Sequence, residues 1–234
     1  MRCPTLLAVG TGVLVLAGSG FGIRSDNVHN GLLALSFAVV GASVLRRRPG
    51  QREAELFVVT GAAEGIVFFG RQVGTHEAFA ARSGAEWLAW LGIWPLPLVL
   101  VVVGATIMCF PDGHFPGPVW RRAWQVTAVV ATVLALLSAL WPVDYGRAGL
   151  VTGHPLDLPG GAVARSVFAV LQPVAFTSFQ VLWLVCVAAR YRRADALDRR
   201  QLRWVVGAVG VSVWYSEQGS SSRAPHARVC SPCG

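Results

Sequence analysis

The sequence has no lysine and few charged residues of either sign. All 20 basic residues are arginine. Charged residues make up 14% of the 234 residues, whereas they make up about 25% of soluble domains. Hydrophobic residues make up 54%, compared with roughly 45–50% in soluble domains. These proportions exclude an ordinary soluble domain. The arginines cluster between long apolar blocks, so the net charge of +8 favours a membrane-topology signal over a nucleic-acid partner.

The sequence also lacks the motifs of common enzyme classes. It has no Walker loop, GxGxxG unit or HExxH motif, and its five cysteines stand at irregular positions that give no disulfide framework. His76-Glu77 resembles the start of a phospho-acceptor box but lacks the residues that follow in such a box. We therefore expect a protein that is not an enzyme, with no catalytic, cofactor-binding or metal-ligating residues and no cofactor.

The apolar residues form long blocks separated by short polar stretches. A helix needs about 20 apolar residues to cross the bilayer, so we predict an all-α fold, a polytopic transmembrane helical bundle with six full spans and a broken seventh. Pro95 and Pro97 should bend the fourth span near its outer end. The predicted spans are about Pro4–Ile23, Gly31–Leu45, Ala54–Gly70, Leu88–Phe110, Ala123–Val143 and Val167–Ala189, and the short seventh run is Trp204–Trp214.

The last residues differ in composition from the rest. Residues 215–234 are polar and rich in Ser, Gly and Pro, as disordered segments are. They begin in the middle of an apolar run. We therefore divide the chain into a transmembrane helical region, residues 1–214, and a disordered or frame-shifted tail, residues 215–234.

The arginines are distributed unevenly between the predicted loops. If the N-terminus lies inside, the inner segments contain 13 arginines and the outer loops five. Cytoplasmic segments carry the excess of basic residues in membrane proteins. We therefore predict a multi-pass protein of the cell inner (plasma) membrane with a cytoplasmic N-terminus.

Glu64 is the one acidic residue well inside a predicted span. Carboxyl groups at that depth are costly and often functional. Glu64 lies between Gly61 and Gly65 in a GxxxG pattern, which allows close approach of helices. Two interpretations stay open: a neutral or hydrogen-bonded carboxyl at a helix interface, and a proton, ligand or ion site. Glu64 is thus the candidate intramembrane functional residue.

Two polar segments follow predicted spans on the inner side. Residues 110–116 read Phe-Pro-Asp-Gly-His-Phe-Pro, in which Pro-Asp-Gly is a strong turn signal. The Arg190–Trp204 segment is basic, and we predict a cytoplasmic helical connector that contacts anionic lipids or relays signals.

With these two segments the chain resembles the membrane-embedded N-terminal (sensor) region of actinobacterial two-component sensor histidine kinases. That family has a Phe-Pro-Asp-Gly-Arg-Leu-Pro-like turn and an Arg-Arg-Ala-x-Gly-x-x-Arg-x-Gln-Leu-Lys-Trp-like connector. His114 and Phe115 depart from the first pattern, and Ala196 and Arg203 from the second. The matching residues are Phe110, Pro111, Asp112, Gly113, Pro116, Arg192, Arg193, Ala194, Arg199, Gln201, Leu202 and Trp204.

The resemblance covers about residues 1–214 and implies an input region for a kinase. The kinase output of this family needs a phospho-accepting His on a dimerisation helix and an ATP-binding domain, and this chain has neither. We therefore expect a non-catalytic membrane sensor or input module that is truncated before the kinase domains. The expected partners are membrane lipids, a second copy through the transmembrane helices and a small-molecule ligand of unknown identity, with no nucleic acid.

Two alternatives stay open. A small transporter or channel-like subunit would need paired polar residues on facing helices, whereas the predicted spans show Glu64, Gln172 and Gln180. A non-functional truncated product is the other alternative.

The predicted topology can be tested by cysteine accessibility. A cysteine at Gln51, in a cysteine-free background, should react with an impermeant thiol reagent only after cells are permeabilised, because the arginine asymmetry places the Arg46–Arg52 loop in the cytoplasm. A cysteine at Ser83, in a predicted outer loop, is the control that should react in intact cells. Labelling of the Gln51 site in intact cells would contradict this topology.

Overall fold

A computed structural model describes residues 3–193 apart from 23, 25, 111, 112 and 157, and within these residues it is helical without strands. The predicted seventh apolar run, the connector beyond residue 193 and the tail lie outside the described residues. The described helices are α1 (Cys3–Ser19), α2 (Val28–Arg47), α3 (Arg52–Gly74), α4 (Glu77–Ala80), α5 (Ala85–Leu91), α6 (Leu96–Cys109), α7 (Pro118–Leu140), α8 (Tyr145–Ala148) and α9 (Gly161–Arg193).

Five helical segments are long and apolar enough to cross a membrane, which is consistent with a polytopic membrane protein. They are Val28–Arg47, Arg52–Gly74, Ala85–Cys109, Pro118–Leu140 and Gly161–Arg192. The sixth full span is not confirmed, because α1 has only 17 residues, or about 26 Å at 1.5 Å per residue. The prediction extended this helix to Ile23, but the helix ends at Ser19, and Gly22 has a φ of +98°, which lies outside the helical region.

The fourth span is broken into α5 and α6, as its prolines predicted. Pro95 is the N-cap of α6, and Pro97 stands in its first turn. Proline lacks the N–H that a continuous helix would use and is tolerated in a first turn, where that donor has no intrahelical partner. The prolines therefore end one helical segment and begin the next within a single apolar stretch.

Helix α3 is the centre of the bundle. It packs against α1 and α2 on one side and against α5 and α6 on the other, while α6, α7 and α9 pack together as a second group. Glycines bring α3 close to its neighbours: a Cβ added to Gly61 would lie 2.7 Å from the Ala34 carbonyl oxygen, and one on Gly65 would lie 3.2 Å from Cγ2 of Thr11. The close approach predicted from the GxxxG pattern is thus confirmed, and it occurs within one chain.

The outer faces of the bundle are apolar. Helices α1, α7 and α9 each expose large aliphatic side chains, which suits a hydrocarbon surrounding rather than water. Among the most exposed are Leu6, Leu16, Val126, Val129, Val163 and Val170.

The close contact at Gly61 predicts a stability effect. Gly61→Ala should lower the free energy of unfolding by about 1–3 kcal/mol, because its methyl group would overpack against the backbone of α2. Gly10→Ala is the matched control, because a Cβ at Gly10 meets nothing within 4 Å and alanine has the higher helix propensity. Thermal unfolding in detergent measures both, and equal melting temperatures for the two variants would contradict the α2–α3 packing.

Candidate functional site

The structure buries Glu64 in the middle of α3. Its side chain is 3% exposed, and its Oε2 has no hydrogen-bond partner among the described residues. One turn earlier, Thr60 hydrogen-bonds to Thr106 of α6, with 2.9 Å between the hydroxyl oxygens. An unsatisfied oxygen of this kind is costly inside a protein, so Glu64 stands out from the polar groups around it.

A cluster of three polar side chains lies where the α1–α2 loop meets the end of α3. The Asn27 side-chain amide donates to the Phe68 carbonyl oxygen at 3.0 Å and to Oε1 of Gln72 at 3.1 Å. Asn30 donates to Oδ1 of Asn27 at 2.9 Å, and the Gln72 amide donates to the carbonyl oxygen of Gly22. All three side chains are at least nine-tenths buried, so this network closes one end of the α1–α3 group.

The predicted spans did not reveal this network, because their boundaries were too narrow. Asn27 and Asn30 precede the predicted second span, and Gln72 follows the predicted third span. The observed helices are Val28–Arg47 and Arg52–Gly74. The sequence did contain one signal for this network. The two asparagines are three residues apart, a spacing that places side chains on one face of a helix.

The turn segment and Arg190, the first residue of the connector segment, meet at the opposite end of α3. Gly113 has a φ of +74°, and its N–H donates to the Cys109 carbonyl oxygen at 2.8 Å, so the described part of the predicted turn is confirmed. Arg190, near the end of α9, donates through Nη1 to the carbonyl oxygens of Met108 at 3.1 Å and His114 at 3.2 Å.

The turn at residues 110–116 contacts several helices. Phe110 stacks on Phe57 of α3, with ring centroids 6.5 Å apart, and the ring of Phe115 lies 5.5 Å from that of Trp124 in α7. We call this meeting of the turn with α3, α6, α7 and Arg190 of α9 the turn junction. Of the remaining motif residues, Arg192 and Arg193 end α9, while Pro111, Asp112, Ala194, Arg199, Gln201, Leu202 and Trp204 lie outside the described residues.

Within the described part of the chain, no three or more His, Cys, Asp or Glu side chains come together as a metal site. Comparison with protein-family models, curated proteins and solved structures found no match. The function must therefore be argued from the geometry of the chain itself.

Glu64 gives a prediction about packing. Glu64→Gln should insert and melt like the wild type, because glutamine keeps the shape and hydrogen-bonding capacity of the side chain. Glu64→Lys should lower the melting temperature, because a long charged side chain has no room at this buried position. Membrane insertion and thermal unfolding measure both effects. A Glu64→Lys protein as stable as Glu64→Gln would show that the position is open to water or headgroups.

Proposed function

We propose that the chain is a non-catalytic membrane sensor or input module, as its resemblance to the membrane region of sensor histidine kinases implies. In this proposal the transmembrane helices respond to a ligand or to the state of the bilayer. The response then moves the end of α9, from which the Arg190–Trp204 connector continues.

The contact between Arg190 and the turn is the observation that supports this role best. One guanidinium joins α9 to the end of α6 and to the turn through two carbonyl oxygens. Each of these hydrogen bonds is worth at most about 1.5–3 kcal/mol, because the bond to Met108 is only partly buried and the bond to His114 is exposed to solvent. That is weak enough to break and reform when a stimulus shifts a helix, and a discrete contact of this kind suits a two-state element.

The length of α9 suits transmission. It has 33 residues, or about 50 Å at 1.5 Å per residue, which exceeds the hydrocarbon thickness of ~30 Å. Pro173 lies inside α9 and removes one backbone hydrogen bond, but the helix runs on through it, so a displacement of its first turns can reach Arg190 near its other end. The turn couples this movement to α3, because a Cβ on Gly113 would lie only 3.2 Å from Cβ of Arg52.

The proposal can be tested by distance measurement in nanodiscs. Spin labels at Gly117 and Arg192, in a cysteine-free background, report the separation of the turn from the end of α9; Gly117 has open space around it and Arg192 is exposed. Arg190→Ala should broaden or shift the distance distribution, because the guanidinium contact is lost. Arg122→Ala, an exposed arginine of α7, is the matched control and should leave it unchanged.

The same measurement in thin and thick bilayers tests the sensor role itself. We expect two distance populations whose ratio changes with bilayer thickness, with Arg190→Ala favouring one of them throughout. A single distribution that is the same in every bilayer and in Arg190→Ala would argue against a relay at the turn junction.

A small transporter is the second candidate, and the buried polar groups favour it. Glu64 and the Thr60–Thr106 pair place polar groups on facing helices, and Asn27 of the α1–α2 loop adds a pair with Gln72; intramembrane ion and proton paths require such groups. Proton flux in proteoliposomes separates the two candidates. Flux that Glu64→Gln abolishes and Arg190→Ala leaves intact would favour the transporter, whereas the absence of flux beside a responsive turn junction would favour the sensor.

A further inference from the structure

A cavity of about 270 Å³ lies between α6, α7 and α9. Most of its wall is aliphatic and aromatic, with side chains that include Leu100, Val130, Leu134, Phe168 and Phe179. Protein interiors are close-packed, and the walls of an empty cavity lose dispersion contacts. In a bilayer the surrounding medium is hydrocarbon, so an acyl chain is the most available filling for such a space.

Polar side chains line one end of the cavity, and they indicate which headgroup a lipid bound there would carry. Ser138, near the end of α7, and Asp144, in the loop that follows, both line the cavity, as does Gln172 of α9. Arg147 donates through Nη1 to Oε1 of Gln172 at 2.9 Å, and its Nε lies 3.9 Å from Oδ1 of Asp144. An apolar space therefore ends at a carboxyl group with a guanidinium beside it.

The two charged groups differ in exposure. The Arg147 side chain is 68% exposed and that of Asp144 only 21%. Burial raises the pKa of the Asp144 carboxyl, and the charges of Arg147 and Arg71 only partly oppose the shift. Because Asp144 lines the cavity, a cationic group there would add to the compensation of its carboxylate, while the exposed Arg147 guanidinium has N–H donors for an anion as well.

We propose that this cavity binds one acyl chain of a zwitterionic phospholipid with a primary ammonium headgroup, phosphatidylethanolamine. The chain occupies the apolar space, the ammonium donates to Asp144 and the phosphate accepts from Arg147. Phosphatidylglycerol has no cation for Asp144, and the quaternary ammonium of phosphatidylcholine has no N–H to donate.

Native mass spectrometry of the delipidated full chain, titrated with each lipid, tests the proposal. The wild type should bind phosphatidylethanolamine about tenfold more tightly than phosphatidylglycerol or phosphatidylcholine, which corresponds to one lost charged hydrogen bond. Asp144→Asn should remove this preference. Glu77→Gln, an exposed carboxyl on a loop helix, is the control and should keep it.

Two further variants test the phosphate contact at Arg147 and the space for the acyl chain. Arg147→Gln should weaken phosphatidylethanolamine, phosphatidylglycerol and phosphatidylcholine by a similar factor, because all three carry the phosphate, and should keep the preference for phosphatidylethanolamine that Asp144 provides. Ala131→Phe, which narrows the cavity, should weaken all three lipids while the melting temperature reports on folding. Equal affinity of the wild type for the three lipids, or an unchanged preference in Asp144→Asn, would overturn the proposal, and the wild-type comparison decides it even where a variant fails to fold.

Discussion

The close approach of α3 to its neighbours is the constraint on which the rest of the bundle depends. Inside a bilayer the hydrophobic effect does not drive apolar helices together, because the lipid chains are as apolar as the helices. Association therefore depends on close packing and on hydrogen bonds between helices. Glycines at 41, 61, 65 and 70 place α1, α2, α3 and α5 close together, with little room for larger side chains. Because these glycines are used within one chain, a second copy would have to associate through another face of the bundle.

Hydrogen bonds between polar side chains, and from side chains to the backbone, stabilise the ends and the middle of the bundle. Asn27, Asn30 and Gln72 close one end, Thr60 and Thr106 join α3 to α6, and Arg190 joins α9 to the turn junction. The α6, α7 and α9 group is looser, since it encloses a cavity. The bundle thus combines a closely packed group around α3 with a less closely packed group of α6, α7 and α9. Arg190 lies near the end of α9, in the second group.

The helices themselves could be predicted from the sequence, because the thickness of the bilayer imposes a minimum apolar length on each span. Their ends could not. Helix α7 begins at Pro118 rather than Ala123, since proline suits the first turn and the arginines that follow reach the headgroup region. The turn was predictable from Pro-Asp-Gly, but the Arg190 contact was not, because its acceptors are backbone carbonyls that every residue has. Glu64 was found from its depth in an apolar span, whereas the partners of Gln72 depend on which helices face each other.

Footprinting with a diazirine probe confined to the bilayer tests the central claim, a membrane-embedded bundle with α3 at its centre. Photolysis in nanodiscs followed by tandem mass spectrometry assigns carbene insertion to single residues without any mutation. The structure predicts strong labelling of exposed side chains on the outer helices, such as Val126 and Val129 of α7 and Val170 of α9, and little on Val58, Val67 and Phe68 of α3, which are at most 4% exposed. Labelling of these three α3 residues as strong as that of α7 would contradict this arrangement of the helices.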